Sequence, residues 1–184
     1  MMDRRQFVSA LAGATVLGFN PVARQWVTEA QAAQAPFARV PALEGELVSD
    51  AASLAHHSTD AGNSVVAVPV AVLRPASAKD ISKMVKYCRR LGIQVAAHGQ
   101  GHTTFGQSLV GGGLAIEMGT LKRIHSIEPG RAVVDAGLRW SELLPATLAQ
   151  GLTPPVLTGY IGLSIGGTLS VGGISSGNSR GAQV

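Results

Sequence analysis

The stretch from Val65 to Gln107 constrains the fold of this chain more than any other. Val65 to Arg74 is apolar and β-branched, and Pro69 interrupts it, so two short extended pieces are expected. Ser77 suits a helix N-cap, and Asp80 falls in the first turn, where negative charge meets the positive end of the helix dipole. Ile81, Met84, Val85, Cys88 and Leu91 then recur at helical spacing, and Gly92 stops the helix. Ile93 to Ala97 alternates as a short strand and runs into His98-Gly99-Gln100-Gly101-His102-Thr103-Thr104-Phe105-Gly106-Gln107. The order strand, helix, strand, glycine loop places His102 just beyond a strand's carboxyl end, where α/β sheets bind ligands.

Glycine removes the side-chain wall, so the backbone N–H groups of such a loop can close on an anion such as a diphosphate. His102 then stands as a nucleophilic imidazole where the rest of that anion's molecule would lie. The loop is not a Rossmann fingerprint, because Gly99-x-Gly101 is not followed by glycine three residues later. A second glycine cluster opens at Gly159-Tyr160-Ile161-Gly162-Leu163-Ser164-Ile165-Gly166-Gly167-Thr168-Leu169-Ser170. Within it, Gly162 to Gly166 is a literal match to a serine-hydrolase elbow. That chemistry needs an acid and a histidine later in the chain, and none follows Ser164. The stretch fits a ligand cradle better. Ser164 would cap a helix starting near Ile165, and Gly166 and Gly167 would let its first turn approach a diphosphate.

The remaining elements are read more simply. Leu43 to His57 is expected as a helix, and Leu114 to Met118 as a strand. Ile124 to Ile127 and Ala132 to Ala136 form a hairpin turned at Glu128-Pro129-Gly130-Arg131. Trp140 to Gln150 reads as a helix ended by Gly151, with Pro145 tolerable only in or near its first turn.

Composition limits the classes open to the chain. Its 184 residues are 46% hydrophobic and 14% charged, enough to bury a core and unlike a disordered segment. The net charge of +4 is modest, and Lys83, Lys86, Arg89 and Arg90 cluster only on the predicted helix, as a solvated face; no nucleic-acid partner is expected. Cys88 is the only cysteine, so neither an internal disulfide nor a cysteine zinc site is possible. His56-His57 is not a metal spacing on a helix face and shows no acidic partner, and no metal is expected. His98 adjoins the glycine loop, either positioning the ligand or packing at a strand end. At the N-terminus, Asp3-Arg4-Arg5-Gln6-Phe7-Val8 precedes a short apolar run from Ala10 to Phe19, and small-residue cleavage sites follow. This reads as a twin-arginine export signal cut after Ala32, hence an exported, periplasmic or secreted protein. The run is too short for a stable membrane span. The expected organisation is a signal over 1–32, a lead-in segment over 33–64 and a ligand-binding domain over 65–184. The chain stops soon after the second glycine cluster with no closing element in view, so a truncated product is expected.

Three segments carry a family resemblance: Ala71-Val72-Leu73-Arg74-Pro75-Ala76-Ser77-Ala78-Lys79-Asp80-Ile81, the loop at 99–107, and Leu157 to Ser175. Together they resemble FAD-linked oxidases with a p-cresol methylhydroxylase-type FAD-binding domain, the vanillyl-alcohol oxidase superfamily, and within it the cytokinin dehydrogenase-like branch. The resemblance implies an α+β fold of two small α/β subdomains, here incomplete at the C-terminus. It implies FAD as cofactor, covalently attached at His102. Ala97, Gly99, Gln100, Gly101, Thr103 and Gln107 would bind it from the first loop. Ser164, Ser170 and Ile174 would bind it from the second, with Gly166 and Gly167 allowing close approach. The implied activity is hydride transfer from an alcohol or amine C–H to flavin, with oxygen or another acceptor reoxidising it. The alternative is a non-catalytic, truncated flavin-binding remnant. Gly159 stands where the cytokinin dehydrogenase pattern places an aspartate base, so the catalytic base is unassigned and cytokinin is not the expected substrate.

Overall fold

The structure is a computed structural model, and it describes residues 16–20, 25–28, 36–173 and 175. It divides into two compact units, residues 1–40 and 41–184. In the first, β1 (Val16–Asn20) and β2 (Gln25–Thr28) pair antiparallel, with a register shift between Val16 and Gly18. Arg4, Arg5 and the expected cleavage sites lie outside the described residues.

The second unit is a mixed α/β structure. Its main sheet has the order β3-β4-β6-β5, made of Glu46–Val48, Ala71–Arg74, Leu114–Glu117 and Val95–His98 respectively. β4, β6 and β5 run parallel, and β3 adds antiparallel to the β4 edge. The expected helix over Leu43 to His57 is corrected to β3 followed by α1 (Ala51–His56). The boundary has a local cause: the Asp50 carboxylate accepts the Ser53 N–H at 2.9 Å, capping a helix that can begin only there. Of Val65 to Arg74, only Ala71–Arg74 joins the sheet. The residues before it run outside the ladder, and Val66 is 70% exposed.

The long helix α2 (Ala78–Leu91) lies where its periodicity predicts, with Gly92 closing it in the left-handed region at φ 67°. Met84, Tyr87 and Cys88 are buried, while Lys86, Arg89 and Arg90 face solvent. Burial pushes the Cys88 thiol pKa up. Its N-terminus is secured differently from the expectation. The Ser77 hydroxyl makes no capping bond. Instead Asp80 is fully buried and its carboxylate accepts N–H bonds from Glu44 (2.9 Å), Gly45 (2.9 Å) and Ala76 (3.1 Å). One side chain thus ties the approach to β3 onto the start of α2.

After β6 and a 3₁₀ turn (Met118–Thr120), β7 (Ile124–Glu128) and β8 (Arg131–Val134) form the expected hairpin, with Gly130 at φ 81°. Helix α3 (Trp140–Leu148) follows; Pro145 sits beyond its first turn, on the exposed side, and the helix ends two residues earlier than expected. The last described helix is α4 (Ile165–Val171), with Ser164 at its N-cap in extended conformation. Leu138, Trp140, Leu143 and Ile165 form one apolar core there, and Val72, Val110 and Ala115 form another beneath the sheet.

Candidate functional site

The glycine loop leaves the carboxyl end of β5, as the strand order requires, and returns to β6 through Gly113. Gly101 and Gly106 hold φ of 63° and 78°, a region that penalises any side chain. The loop's backbone bonds are made by its carbonyls: Ala61 N–H donates to Gly101 O (2.8 Å), and Gly62 N–H to Thr103 O (3.2 Å). The N–H groups from Gln100 to Thr103 donate to no backbone carbonyl among the described residues. Four successive donors without a backbone acceptor suit an anion.

The second glycine cluster is tied to the start of α3 by hydrogen bonds. Trp140 N–H donates to Leu163 O, Ser141 N–H to Ile161 O, and Ile165 N–H to Leu138 O. The Trp140 indole N–H also donates to Thr168 Oγ1 at 2.8 Å. A β-carbon on Gly99 would lie 2.8 Å from Ser164 Oγ, so the two clusters meet where Gly99 has no side chain. Gly167 would likewise meet Ser164 Oγ at 2.9 Å. Gly166 is glycine for a different neighbour: its β-carbon would fall 2.6 Å from that of Ala136, and its N–H donates to Ala136 O. The helix start is therefore partly occupied by protein acceptors, leaving the loop N–H groups as the main anion donors.

Between the clusters lies a cavity of about 820 Å³. It is lined by Ala97, Gly99, Gln100, Gly101, His102, Thr103 and Gln107 from the first segment and by Ser164, Gly166, Gly167 and Ser170 from the second. Ile174 lies outside the described residues. Among the described residues that line it there is no Asp, Glu, Lys or Arg. His102 is exposed at this cavity, with its ring centroid 5.9 Å from that of Tyr160. Several side chains are already engaged. Thr103 Oγ1 donates to Asp60 Oδ2 at 2.8 Å, Gln107 Oε1 accepts the Phe105 N–H, and Ser170 Oγ donates to Gly166 O. Ser164 is buried at a helix N-cap, not presented on a strained elbow.

A smaller cavity of about 550 Å³ lies beside the same loop and shares Gly99, Gln100 and Gly101 with the larger one. Here the sequence reading missed a group. His57 is buried, donates Nδ1–H to Ser53 O at 2.8 Å, and places Nε2 3.9 Å from Glu117 Oε2, so an acidic neighbour does exist. The Arg74 guanidinium bonds the same Glu117 oxygen at 3.0 Å. His98 packs on His57 with centroids 4.7 Å apart, which fits its reading as a packed strand-end histidine. Burial, then His57 and His56, hold its pKa below the ordinary value. No group of three metal-ligating side chains occurs among the described residues.

Asp60 was also missed. It is 5% exposed and bonds Thr103 Oγ1, Gly106 N–H (2.7 Å) and Gly62 N–H (3.1 Å). Burial alone would raise its pKa, but these donors outweigh it and hold the carboxyl below its ordinary value. The available signal was the Ser58-Thr59-Asp60-Ala61-Gly62-Asn63 turn composition, inside the segment read only as a lead-in.

The family described as "FAD binding domain" matches residues 69–183 of this chain. An uncharacterized oxidoreductase of the fasciation locus of Rhodococcoides fascians is 39% identical over 139 residues, covering 76% of this chain and 32% of that protein. Cytokinin dehydrogenase 3 of Arabidopsis thaliana is 38% identical over 138 residues, covering 71% and 26%. Cytokinin dehydrogenase 1 of Oryza sativa subsp. japonica is 37% identical over 156 residues, covering 79% and 29%. The matched region is about a third or less of each of these relatives. With more than half of its residues matched, carrying both glycine clusters, the chain belongs to the FAD-binding domain family and its cofactor is FAD.

Proposed function

We propose that this chain is the FAD-binding part of an FAD-dependent oxidoreductase that takes hydride from an alcohol or amine C–H, with its flavin covalently attached at His102. The observation that carries the reading is the convergence of residues 97–107 and 164–170 on one cavity of about 820 Å³, with loop N–H donors that have no backbone acceptor among the described residues. The residues fit the cofactor: the loop N–H groups suit a diphosphate, Gly99 and Gly167 leave space around Ser164, and His102 is exposed at the cavity. FAD, when bound, supplies a hydride acceptor, which oxygen or another acceptor reoxidises. The protein's share is to hold that group, orient it and tether it through the His102 imidazole.

The base that takes the substrate's proton is not assigned. Gly159 has no side-chain proton acceptor, and no carboxylate is among the described residues that line the cavity. The substrate in the plant relatives' names is therefore not carried to this chain. A second reading is a flavin-binding piece without turnover, which stopped-flow reduction by primary alcohols and amines separates from the first. We also propose the division into an export leader over 1–32, a lead-in over 33–64 and the FAD-binding portion from 65. The mature chain then starts at Ala33, which its intact mass reads directly. Among the described residues no helix is long and apolar enough to cross a membrane.

The central test is the tether. The purified, FAD-supplied chain is precipitated in acid and separated on a denaturing gel. A fluorescent flavin band is expected for the parent and none for His102→Ala. A dark parent band overturns the covalent assignment.

A further inference from the structure

Asp60 lies in no helix or strand, yet its buried carboxylate is spent on the His102 loop. Oδ2 accepts both the Thr103 hydroxyl and the Gly106 N–H, and Oδ1 accepts the Gly62 N–H. The same turn grips the loop backbone on both sides of His102, through Ala61 N–H to Gly101 O and Gly62 N–H to Thr103 O. Ser64 Oγ adds a bond to Thr104 O at 2.7 Å. A β-carbon on Gly62 would run into the Thr104 backbone, so the two segments are in direct contact. An ionised carboxylate only accepts, so the Thr103 hydrogen is committed to Asp60 and Ser108 Oγ, 2.9 Å away, donates to Thr103. His102 is thus held between two anchored neighbours while its own ring stays exposed.

We propose that Asp60 is the positioning residue for flavin attachment: it fixes residues 101–106 so that the His102 ring meets the flavin in one arrangement. The inference deepens the proposed function and rests on it. In the attachment, one bond forms between an imidazole nitrogen and the flavin 8α-carbon. One N–H and one C–H bond break, and the two protons and two electrons released pass to dioxygen, giving hydrogen peroxide. Such a step needs close and aligned approach, and small displacements of the nucleophile slow it about a hundredfold. Reversible binding draws on the loop N–H groups too, but also on the second glycine cluster, so the same displacement weakens it less than it slows attachment.

Asp60→Asn keeps the shape but must turn its NH₂ toward either the Gly62 N–H or the Thr103 and Gly106 donors, so part of the clamp is lost. Thr103→Val removes the hydroxyl and Thr103→Ser restores it. The reconstituted full chain is followed in air for acid-stable flavin against time. Asp60→Asn and Thr103→Val are expected to attach flavin at least about tenfold more slowly, with Thr103→Ser near the parent. Reversible FAD affinity, compared in a His102→Ala background with and without Asp60→Asn, is expected to change less than about threefold. Parent-like attachment in Asp60→Asn, or equal slowing in Thr103→Ser and Thr103→Val, overturns the proposal. Should Asp60→Asn fail to fold by circular dichroism, the Thr103 pair decides alone. A parent that gains no acid-stable flavin overturns the covalent reading itself, and this inference with it, whereas a slow variant beside a normal parent separates the two.

Discussion

Asp80 shows how one side chain can govern a boundary that sequence rules assign to another. Ser77 has the N-cap position, but the fully buried Asp80 carboxylate holds three N–H groups from two segments. Each bond to a charged acceptor is worth roughly 1.5–3 kcal/mol, and the three are not additive. Asp80→Ala is therefore expected to cost about 3 kcal/mol in urea unfolding at pH 7. The pH dependence follows from the same bonds. Burial pushes the carboxyl pKa up, the three donors and Lys83 outweigh it, and the folded value lies below the ordinary 3.8. The stability Asp80 supplies is complete above that ordinary value and is lost as pH falls through the folded one. The difference between parent and Asp80→Asn should thus be largest near neutrality and shrink in strong acid. A difference that grows below pH 4 would contradict the assignment.

At the scale of elements, legibility tracked how local the determining interactions are. α2 was readable because its periodicity, first-turn acid and terminal Gly92 all lie within its own span. The β7–β8 hairpin was readable for the same reason, from Pro129-Gly130. β3 was not, because three residues become a strand only by pairing with β4, which follows much later in the chain. Within the site, the glycines and His102 were readable from composition, whereas Asp60 and Glu117 act through partners that only the fold brings near. Glycine itself divides along this line. Gly92 is left-handed with open space around it, but a β-carbon on Gly137 would overlap the Met118 and Leu121 carbonyls. Gly92→Ala is expected to cost about 1–2 kcal/mol. Gly137→Ala should cost about 3 kcal/mol or more, since backbone and not a flexible side chain must move. Thermal denaturation of both variants reads the contrast, and equal losses would refute it.

Taken as a whole, the molecule offers a dianionic diphosphate two environments on either side of one loop. The larger cavity has no Asp, Glu, Lys or Arg among the described residues that line it, so what these offer is backbone N–H groups at short range. The smaller cavity presents Lys122 and Arg139 together with Asp60, Glu117 and Glu142. These alternatives respond differently to salt. Attraction between a diphosphate and solvent-exposed cations is screened once the Debye length falls to a few ångströms, whereas hydrogen bonds from fixed amides are not. The net charge of +4 adds only a weak, long-range bias. With FAD in the larger cavity, its affinity for the His102→Ala chain, where binding is reversible, should weaken less than about threefold between 0.05 and 0.5 M sodium chloride. Quenching of flavin fluorescence measures this directly. A loss beyond about tenfold over that range would place the diphosphate against Lys122 and Arg139 instead. Among the described residues His102 lines the larger cavity, so a salt-insensitive site is the outcome that agrees with a His102 tether.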